Sequence, residues 1–464
     1  MTKRRGIHFE ISERKILLRI MDILSVLGVL YIIGSSFDFE YFTVTKAQWL
    51  WSLVLALYIA VFGTVFELYD LKASSKLDTT FRNVVLTASL TVLMYLFTPI
   101  ITPFLPEKRL QILYFYLAII GAIFLWRIAY VSFIASPRFY KKVIIIGEIS
   151  NLETIVSTIS KSDPNYKIVG FINSEGQVED RISFKGLTEY LPYQLPEVII
   201  DEHISEVVVA IYDSANITSD IYSQLTMLLE KGFAIREYTQ VFEEITKRVP
   251  VQYVGKDFYK YFPFSRSNQN SLYMFFHRFM DIAFAIIGIT IGICLLPLIL
   301  IGNLIANRGP LFYKQERVGK HGEIFYIIKF RTMVTNAEPD GAQWAIKNDA
   351  RVTGFGRFLR NSRIDEIPQF YNVLKGEMSI IGPRPERPYF IKELSQIIPF
   401  YETRHTIKPG LSGWAQVNSR YGSSVEDSLE KLQYDLYYIK HRSFFLDLNI
   451  LVKTLSTVLY YRGQ

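Results

Sequence analysis

The chain has 464 residues, half of them hydrophobic and 15% aromatic, with a formal net charge of +7. This is too long for one ordinary core and too apolar for a soluble protein with a normal surface. A basic balance can serve nucleic acid, anionic lipid or phosphorylated substrates, and the apolar composition favours the last two over nucleic acid. The single cysteine, Cys294, lies in an apolar run, which excludes a disulfide framework and a cysteine-based zinc site. None of the six histidines forms an HExxH pair, so any metal falls to carboxylates and phosphates, which suggests Mg²⁺.

Four apolar segments open the chain, at 16–33, 50–68, 84–102 and 110–135. Each is near the roughly 20 residues that span a bilayer as a helix. Lys3, Arg4, Arg5, Arg14 and Lys15 precede the first, Lys72, Lys76 and Arg82 follow the second, and Arg138, Lys141 and Lys142 follow the fourth. The connection after the first carries Asp38 and Glu40 with Lys46, and that after the third carries Glu107, Lys108 and Arg109. The positive-inside rule then places the N-terminus and everything after residue 136 in the cytoplasm. Because more apolar runs follow the first, it reads as an anchor rather than a cleaved signal.

Residues 141–240 alternate strand-like and helix-like segments. KKVIIIG, KIVGFIN and EVVVAIY read as strands, and 151–160 and 217–231 as helices, which predicts a small doubly wound α/β domain. The turn Gly147-Glu148-Ile149-Ser150-Asn151-Leu152 lacks the second and third glycines of a dinucleotide fingerprint. A structural or regulatory module is expected there rather than an NAD site.

An apolar stretch covers 272–306, with Pro297 inside it. Proline removes a backbone donor and crowds the preceding turn, so a broken helix that returns to the same side competes with an ordinary kinked span. Hydropathy slightly favours the span. The last segment, 443–460, has apolar residues at helical spacing, which suits an interfacial helix or a core helix equally.

The densest chemistry lies between Lys329 and Arg420. KFRTM (329–333) places two cations after a strand-like IFYII, and Arg357, Arg360 and Arg363 recur every third residue, as one ridge of a helix. Asp365 and Glu366 follow, with Pro368 shortly after; a helix starting here would put Asp365 at or near its N-cap. Such a pair could merely cap a helix. Set among arginines that grip phosphates bidentately, it also suits a Mg²⁺-bridged polyanion site and carboxylate attack on phosphorus. GPRPERP (382–388) is a stiff turn exposing Arg384 and Arg387, and IKPGLSGWAQVNSR (407–420) reads as a loop around one tryptophan.

These stretches, KFRTM, SRIDEIPQFYNVLKGEMSIIGPRPE, IKPGLSGWAQVNSRYG and YDLYYIKHRSFFLDLNILVKTL, closely resemble the bacterial sugar transferases, the monotopic polyprenyl-phosphate hexose-1-phosphate transferases, in order and spacing. The N-terminal part is similar to that of the large members in architecture only. The resemblance implies a membrane α-helical bundle (1–136), a Rossmann-like α/β module (137–265) and a mostly α-helical monotopic catalytic domain (266–464). It also turns the reading of 272–306 to a re-entrant helix broken at Pro297. It implies that Asp365 is the nucleophile on a UDP-sugar, releasing UMP, and that Glu366 is its partner in Mg²⁺ and proton handling. Arg360 would engage phosphate. Lys329, Arg331, Arg363, Arg384, Arg387 and Arg420 are candidate substrate contacts, and Asp365 and Glu366 are the candidate metal ligands.

UDP-glucose or UDP-galactose is the expected donor, with an N-acetylated sugar possible, and undecaprenyl phosphate the acceptor. The setting implied is the bacterial cytoplasmic membrane, with a cytoplasmic catalytic domain opening exopolysaccharide, capsule or O-antigen synthesis. A homodimer is expected. A dehydratase would need a Tyr-xxx-Lys pair; Tyr371 and Lys375 fit that spacing but lie within the transferase motif, without a glycine-rich segment before them. An inactive scaffold should have lost the acidic pair, which is intact.

Overall fold

The computed structural model describes residues 11–37, 39, 41–42, 44, 48–70, 77–134, 140–163, 166–174, 186–211, 217–253, 270–335, 337, 349–419, 422 and 424–459. Outside these lie Arg420, the flanking charges Lys3, Arg4, Arg5, Asp38, Glu40, Lys46, Lys72, Lys76 and Arg138, and both expected domain boundaries. The chain divides into two compact units, Met1–Thr246 and Lys247–Gln464.

The first unit opens with helices α1 (Ile11–Ser36), α2 (Trp49–Val65), α3 (Leu77–Leu96) and α4 (Leu110–Ala129), the last prolonged by a π-turn, Tyr130–Ile134. Their shared core includes Val26, Leu30, Leu55, Ile59, Val84, Phe115 and Ile119. Two of these helices contain stretches long and apolar enough to cross a membrane, Glu13–Ser36 and Leu110–Phe133; α2 is apolar but has 17 residues. The third expected span shifts instead. Its helix begins at Leu77 and ends at Leu96, because Pro99 and Pro103 oppose helix just beyond. The shift brings in Asp78 and Arg82, and the buried face carries Thr80, Asn83, Thr87 and Thr91, which dilutes its apolarity. A fully buried ion pair, Arg127 to Asp22 at 2.5 Å, ties α4 to α1.

The same unit contains the anticipated α/β domain. Strands β1 (Lys141–Gly147), β2 (Tyr166–Asn173), β3 (Thr188–Glu189), β4 (Glu206–Ala210) and β5 (Ile235–Glu237) form one sheet in the order β3-β2-β1-β4-β5. Every pairing is parallel. Helices α5 (Ile149–Ser162), α6 (Leu195–Asp201), α7 (Ser219–Glu230) and α8 (Tyr238–Thr246) alternate with the strands. Buried parallel strands read as continuous apolar runs, which is why VIII of β1 and Val207 and Val208 of β4 are interior.

The second unit is built on α9 (Ser271–Gly302), capped at its start by Asn270 Oδ1, which accepts from Leu272 and Tyr273 N–H. With the π-turn Asn303–Asn307 it makes the third stretch long enough to cross a membrane, Ser271–Asn307. Pro297 lies inside this helix. The helix runs through it to Gly302, and the run ends only where Arg308 turns left-handed at φ 43°. A lone proline forfeits one backbone bond, which neighbouring turns tolerate.

Along one side α9 lies against its own unit. A Cβ on Gly288 would stand 2.3 Å from the Phe370 ring, so only glycine permits this approach. Along the other side Phe275, Phe279, Ile286 and Leu298 are exposed.

After α9 come an antiparallel ribbon, β6 (Phe312–Val318) and β7 (Ile324–Phe330), then α10 (Gly354–Asn361) and a 3₁₀ turn, Ile364–Gln369, that leads straight into α11 (Phe370–Lys375). Strand β8 (Ser379–Ile381), α12 (Pro388–Ile397), β9 (Gly410–Ser412), α13 (Trp414–Asn418), α14 (Val425–His441) and α15 (Phe444–Leu459) complete the unit, with β8 and β9 paired in parallel. One core gathers Val249, Val251, Val373, Met378, Phe390, Trp414, Leu432, Leu436 and Ile450. Helix α15 meets both readings of the last segment: Ile450 is fully buried, whereas Phe445 is 83% exposed.

Candidate active site

Asp365 and Glu366 sit in the first turn of the 3₁₀ segment. The N-cap is Arg363, in the left-handed region at φ 58°, and Asp365 stands two residues after it, near the cap as the sequence suggested. The three-arginine ridge is corrected. Helix α10 ends at Asn361, carrying Arg357 and Arg360, and the left-handed turn throws Arg363 out of line with them. The start of α10 is fixed by Thr353 Oγ1, which accepts from Gly356 N–H. Gly356 lies so close to the Thr332 carbonyl that a Cβ would stand 2.0 Å from its oxygen.

Three cations converge on one carboxylate. Lys329, on β7, donates from Nζ to Glu366 Oε1 at 2.8 Å, and Arg384 Nη2 reaches the same oxygen at 3.3 Å. Arg363 Nη1 lies 3.5 Å from Glu366 Oε2. Asp365, adjacent in sequence and 8% exposed, has no hydrogen bond or ion pair among the described residues. Arg360 contributes charge nearby while its Nε donates to Thr332 Oγ1 at 2.9 Å.

The two carboxyl groups are pushed apart as a result. Burial lifts Asp365 to about 6, with Lys329 opposing and the Glu366 charge assisting. Burial works to raise Glu366 as well, but Lys329, Arg384 and Arg363 outweigh it and hold that group well below the usual carboxylate range. Burial lowers Lys329, against the attraction of Glu366. Neighbouring carboxyls with separated acidities are the arrangement expected of a pair with two different chemical tasks.

The remaining candidates fall elsewhere. Arg331 gives its guanidinium to three backbone carbonyls, those of Pro310, Met333 and Asn307, at 2.7 to 3.0 Å. It knits the loop after α9 to the strand end. Arg387 precedes α12 and lies over the Phe390 ring at 5.9 Å.

Two arginines that the sequence did not single out shape the site from behind. Arg317 Nη1 donates to the Pro385 carbonyl at 2.9 Å, and Arg404 Nη2 donates to the Arg384 carbonyl at 3.0 Å. Arg404 is itself held by Asp435 at 2.7 Å. Together they pin the stiff GPRPERP turn that delivers Arg384 to Glu366. No local pattern marks them, because their partners are backbone carbonyls distant in sequence.

Mg²⁺ takes one or two carboxylates and fills its octahedron with water and phosphate oxygens. The Asp365–Glu366 pair offers that hard-oxygen donor set, and the unengaged Asp365 carboxylate is the ligand most readily given. Among the described residues no group of three or more His, Cys, Asp or Glu side chains gathers for a closed protein cage.

A buried acidic pair with three cations gathered on Glu366, in a unit carrying a long apolar helix, has the donors that phosphorylated groups call for. Residues 272–461 match the family model of the bacterial sugar transferases. A putative undecaprenyl-phosphate N-acetylgalactosaminyl 1-phosphate transferase of Bacillus subtilis is 47% identical over 30% of the chain and 79% of its own length. The chain belongs to the bacterial sugar transferase family. A UDP-N-acetylgalactosamine-undecaprenyl-phosphate N-acetylgalactosaminephosphotransferase of Aeromonas hydrophila is 41% identical over 47% of the chain and 51% of its length. A UDP-glucose:undecaprenyl-phosphate glucose-1-phosphate transferase of Xanthomonas campestris is 44% identical over 35% and 34%. The chain thus spans about half of the first of these two relatives and about a third of the second.

Proposed function

We propose that this protein moves a hexose-1-phosphate from a UDP-sugar to undecaprenyl phosphate through a covalent aspartyl intermediate. In this reading an Asp365 carboxylate oxygen attacks the donor's β-phosphorus. The bond to the bridging oxygen breaks, and UMP leaves with that oxygen. A phosphate oxygen of the lipid then attacks the same phosphorus, which forms the lipid diphosphate sugar and returns Asp365 as a carboxylate. Lys329, Arg384, Arg363 and Arg360 would hold the phosphate charge as it shifts between donor, aspartate and lipid. Asp365 and Glu366 would hold Mg²⁺ with the donor's phosphate oxygens, and the ion would offset repulsion between carboxylate and diphosphate.

The observation that carries this reading is the split pair: Glu366 is saturated by three cations, while the Asp365 carboxylate has no partner among the described residues. Names of the relatives support the reaction class and divide on the sugar, between N-acetylgalactosamine and glucose. Both therefore join galactose on the donor panel. We place the chain in the bacterial cytoplasmic membrane, as a homodimer, at the first lipid-linked step of exopolysaccharide, capsule or O-antigen synthesis. The test is UMP release from purified protein with Mg²⁺, undecaprenyl phosphate and a panel of UDP-sugars. Lipid-dependent release that Asp365→Asn abolishes is expected; release undiminished in that variant would overturn the covalent mechanism.

A further inference from the structure

Among the described residues strand β7 pairs with one strand, β6, along one edge. On its other edge stands a side-chain amide. Asn372, 1% exposed on α11, donates from Nδ2 to the Tyr326 carbonyl at 2.8 Å. It accepts from the Ile328 N–H at its Oδ1, at 3.3 Å. Residues two apart on a strand turn their peptide groups to the same edge, so this one amide imitates the peptide group of a missing neighbouring strand. The residue after Ile328 is Lys329, whose Nζ meets Glu366. Asn372 itself lies on the helix that continues the 3₁₀ turn of Asp365 and Glu366. Its second Nδ2 contact, Glu377 Oε2 at 2.8 Å, and its carbonyl, which accepts from Gly376 and Glu377 N–H, fix it in turn.

We propose that Asn372 is a positioning residue that sets the register of β7 against the acidic pair and so holds Lys329 on Glu366. The proposal concerns the same site as the reaction proposed above and deepens it. Asn372 touches no substrate in this scheme; it acts through Lys329. A side chain with only an acceptor, or one too short to bridge, cannot serve both Tyr326 and Ile328.

Asn372→Asp keeps the size and the acceptor and removes both donors; Asn372→Ser shortens the reach and serves if the aspartate variant fails to fold. The first readout needs no turnover. Trace acetylation of the full-length protein in detergent, followed by mass spectrometry, reports how shielded each lysine is, with exposed Lys392 as the internal standard. Lys329 should become several-fold more reactive in either variant. Unchanged Lys329 reactivity in folded variants overturns the proposal, whether or not the reaction assignment stands.

The second readout is a double-mutant cycle on UMP release. Asn372→Asp should lower kcat roughly tenfold in the natural background and less than about twofold in Lys329→Met, because both changes remove one interaction. Equal fold losses in the two backgrounds would assign Asn372 to general stability instead. If the wild-type chain releases no UMP from any donor, the reaction assignment fails, and the acetylation result alone decides the role of Asn372.

Discussion

Lys329 Nζ lies 2.8 Å from Glu366 Oε1, and the neighbouring Asp365 carboxylate has no ion partner at all among the described residues. One backbone step therefore separates a carboxylate paired with three cations from one that feels their charge without pairing. The unpaired group is destabilising where it is, because burial disfavours its charge more than Lys329, Arg360 and Arg384 favour it.

Asp365→Asn should abolish lipid-dependent UMP release, leaving less than about a thousandth of the rate, since the proposed reaction would lose its nucleophile. The variant should also be the more stable protein above pH 6. The folded carboxyl sits near 6 and the unfolded one near 3.8, so the folded state binds more protons between those values. Stability present at low pH is lost as pH rises through that window. Thermal unfolding at pH 4.5 and pH 7.5 checks the sign: the gain from Asn should appear at the higher pH.

The same carboxyl sets the acid side of the rate profile. Attack requires the ionised form, so single-turnover UMP release should rise about tenfold per pH unit below 6 and level off above it. A flat profile from pH 4.5 to 7 would mean that Asp365 ionises far below 6 with donor bound.

Arg404→Met should cost about 3–5 kcal/mol, because it strands the buried Asp435 carboxylate and frees the Arg384 carbonyl. Asp435→Asn, which keeps a neutral hydrogen-bonding group, should cost less. Denaturant unfolding in detergent ranks the two, and the reverse order would show that Arg404 acts alone.

Gly288→Val should overpack the contact with Phe370 and cost about 1–3 kcal/mol. Phe370→Ala should recover part of that loss in the double variant, a non-additivity that limited proteolysis of the purified protein would reveal.

Helix α9 can cross a bilayer or enter and return, and labelling decides between them. In a Cys294→Ser background the chain has no other cysteine, so cysteines placed at Asn270 and Gly309 report cleanly. The proposed function requires both to react with an impermeant maleimide only from the cytoplasmic face.

Much of this architecture is written in local pattern. The β1 and β4 strands are legible because a strand buried on both faces must be apolar throughout, and the acidic pair is legible because its motif is contiguous. The third expected span is displaced because Pro99 and Pro103 oppose helix at its far end, while the helix takes in Asp78 and Arg82 near its start. Arg363 breaks the arginine ridge by adopting a left-handed conformation, which sequence periodicity does not encode. Arg331, Arg317, Arg404 and Asn372 escape functional sorting for one shared reason. Each addresses backbone carbonyls or amides far along the chain, and those partners carry no residue identity to read.

The glycine contact on α9 has a metric consequence. Gly288 fits Phe370, and Phe370 begins the helix that continues the turn of Asp365, so anchor and chemistry share one register. If the proposed function holds and the exposed face of α9 is seated in lipid, the height of the Asp365 carboxylate above the hydrocarbon is set like the stop on a depth gauge. Each residue of slippage along the helix would move it by about 1.5 Å. Under the proposed function the carrier lipid would bring its phosphate to one fixed depth, so slippage of α9 along its contacts at Gly288 and Gly292 would put the carboxylate out of focus.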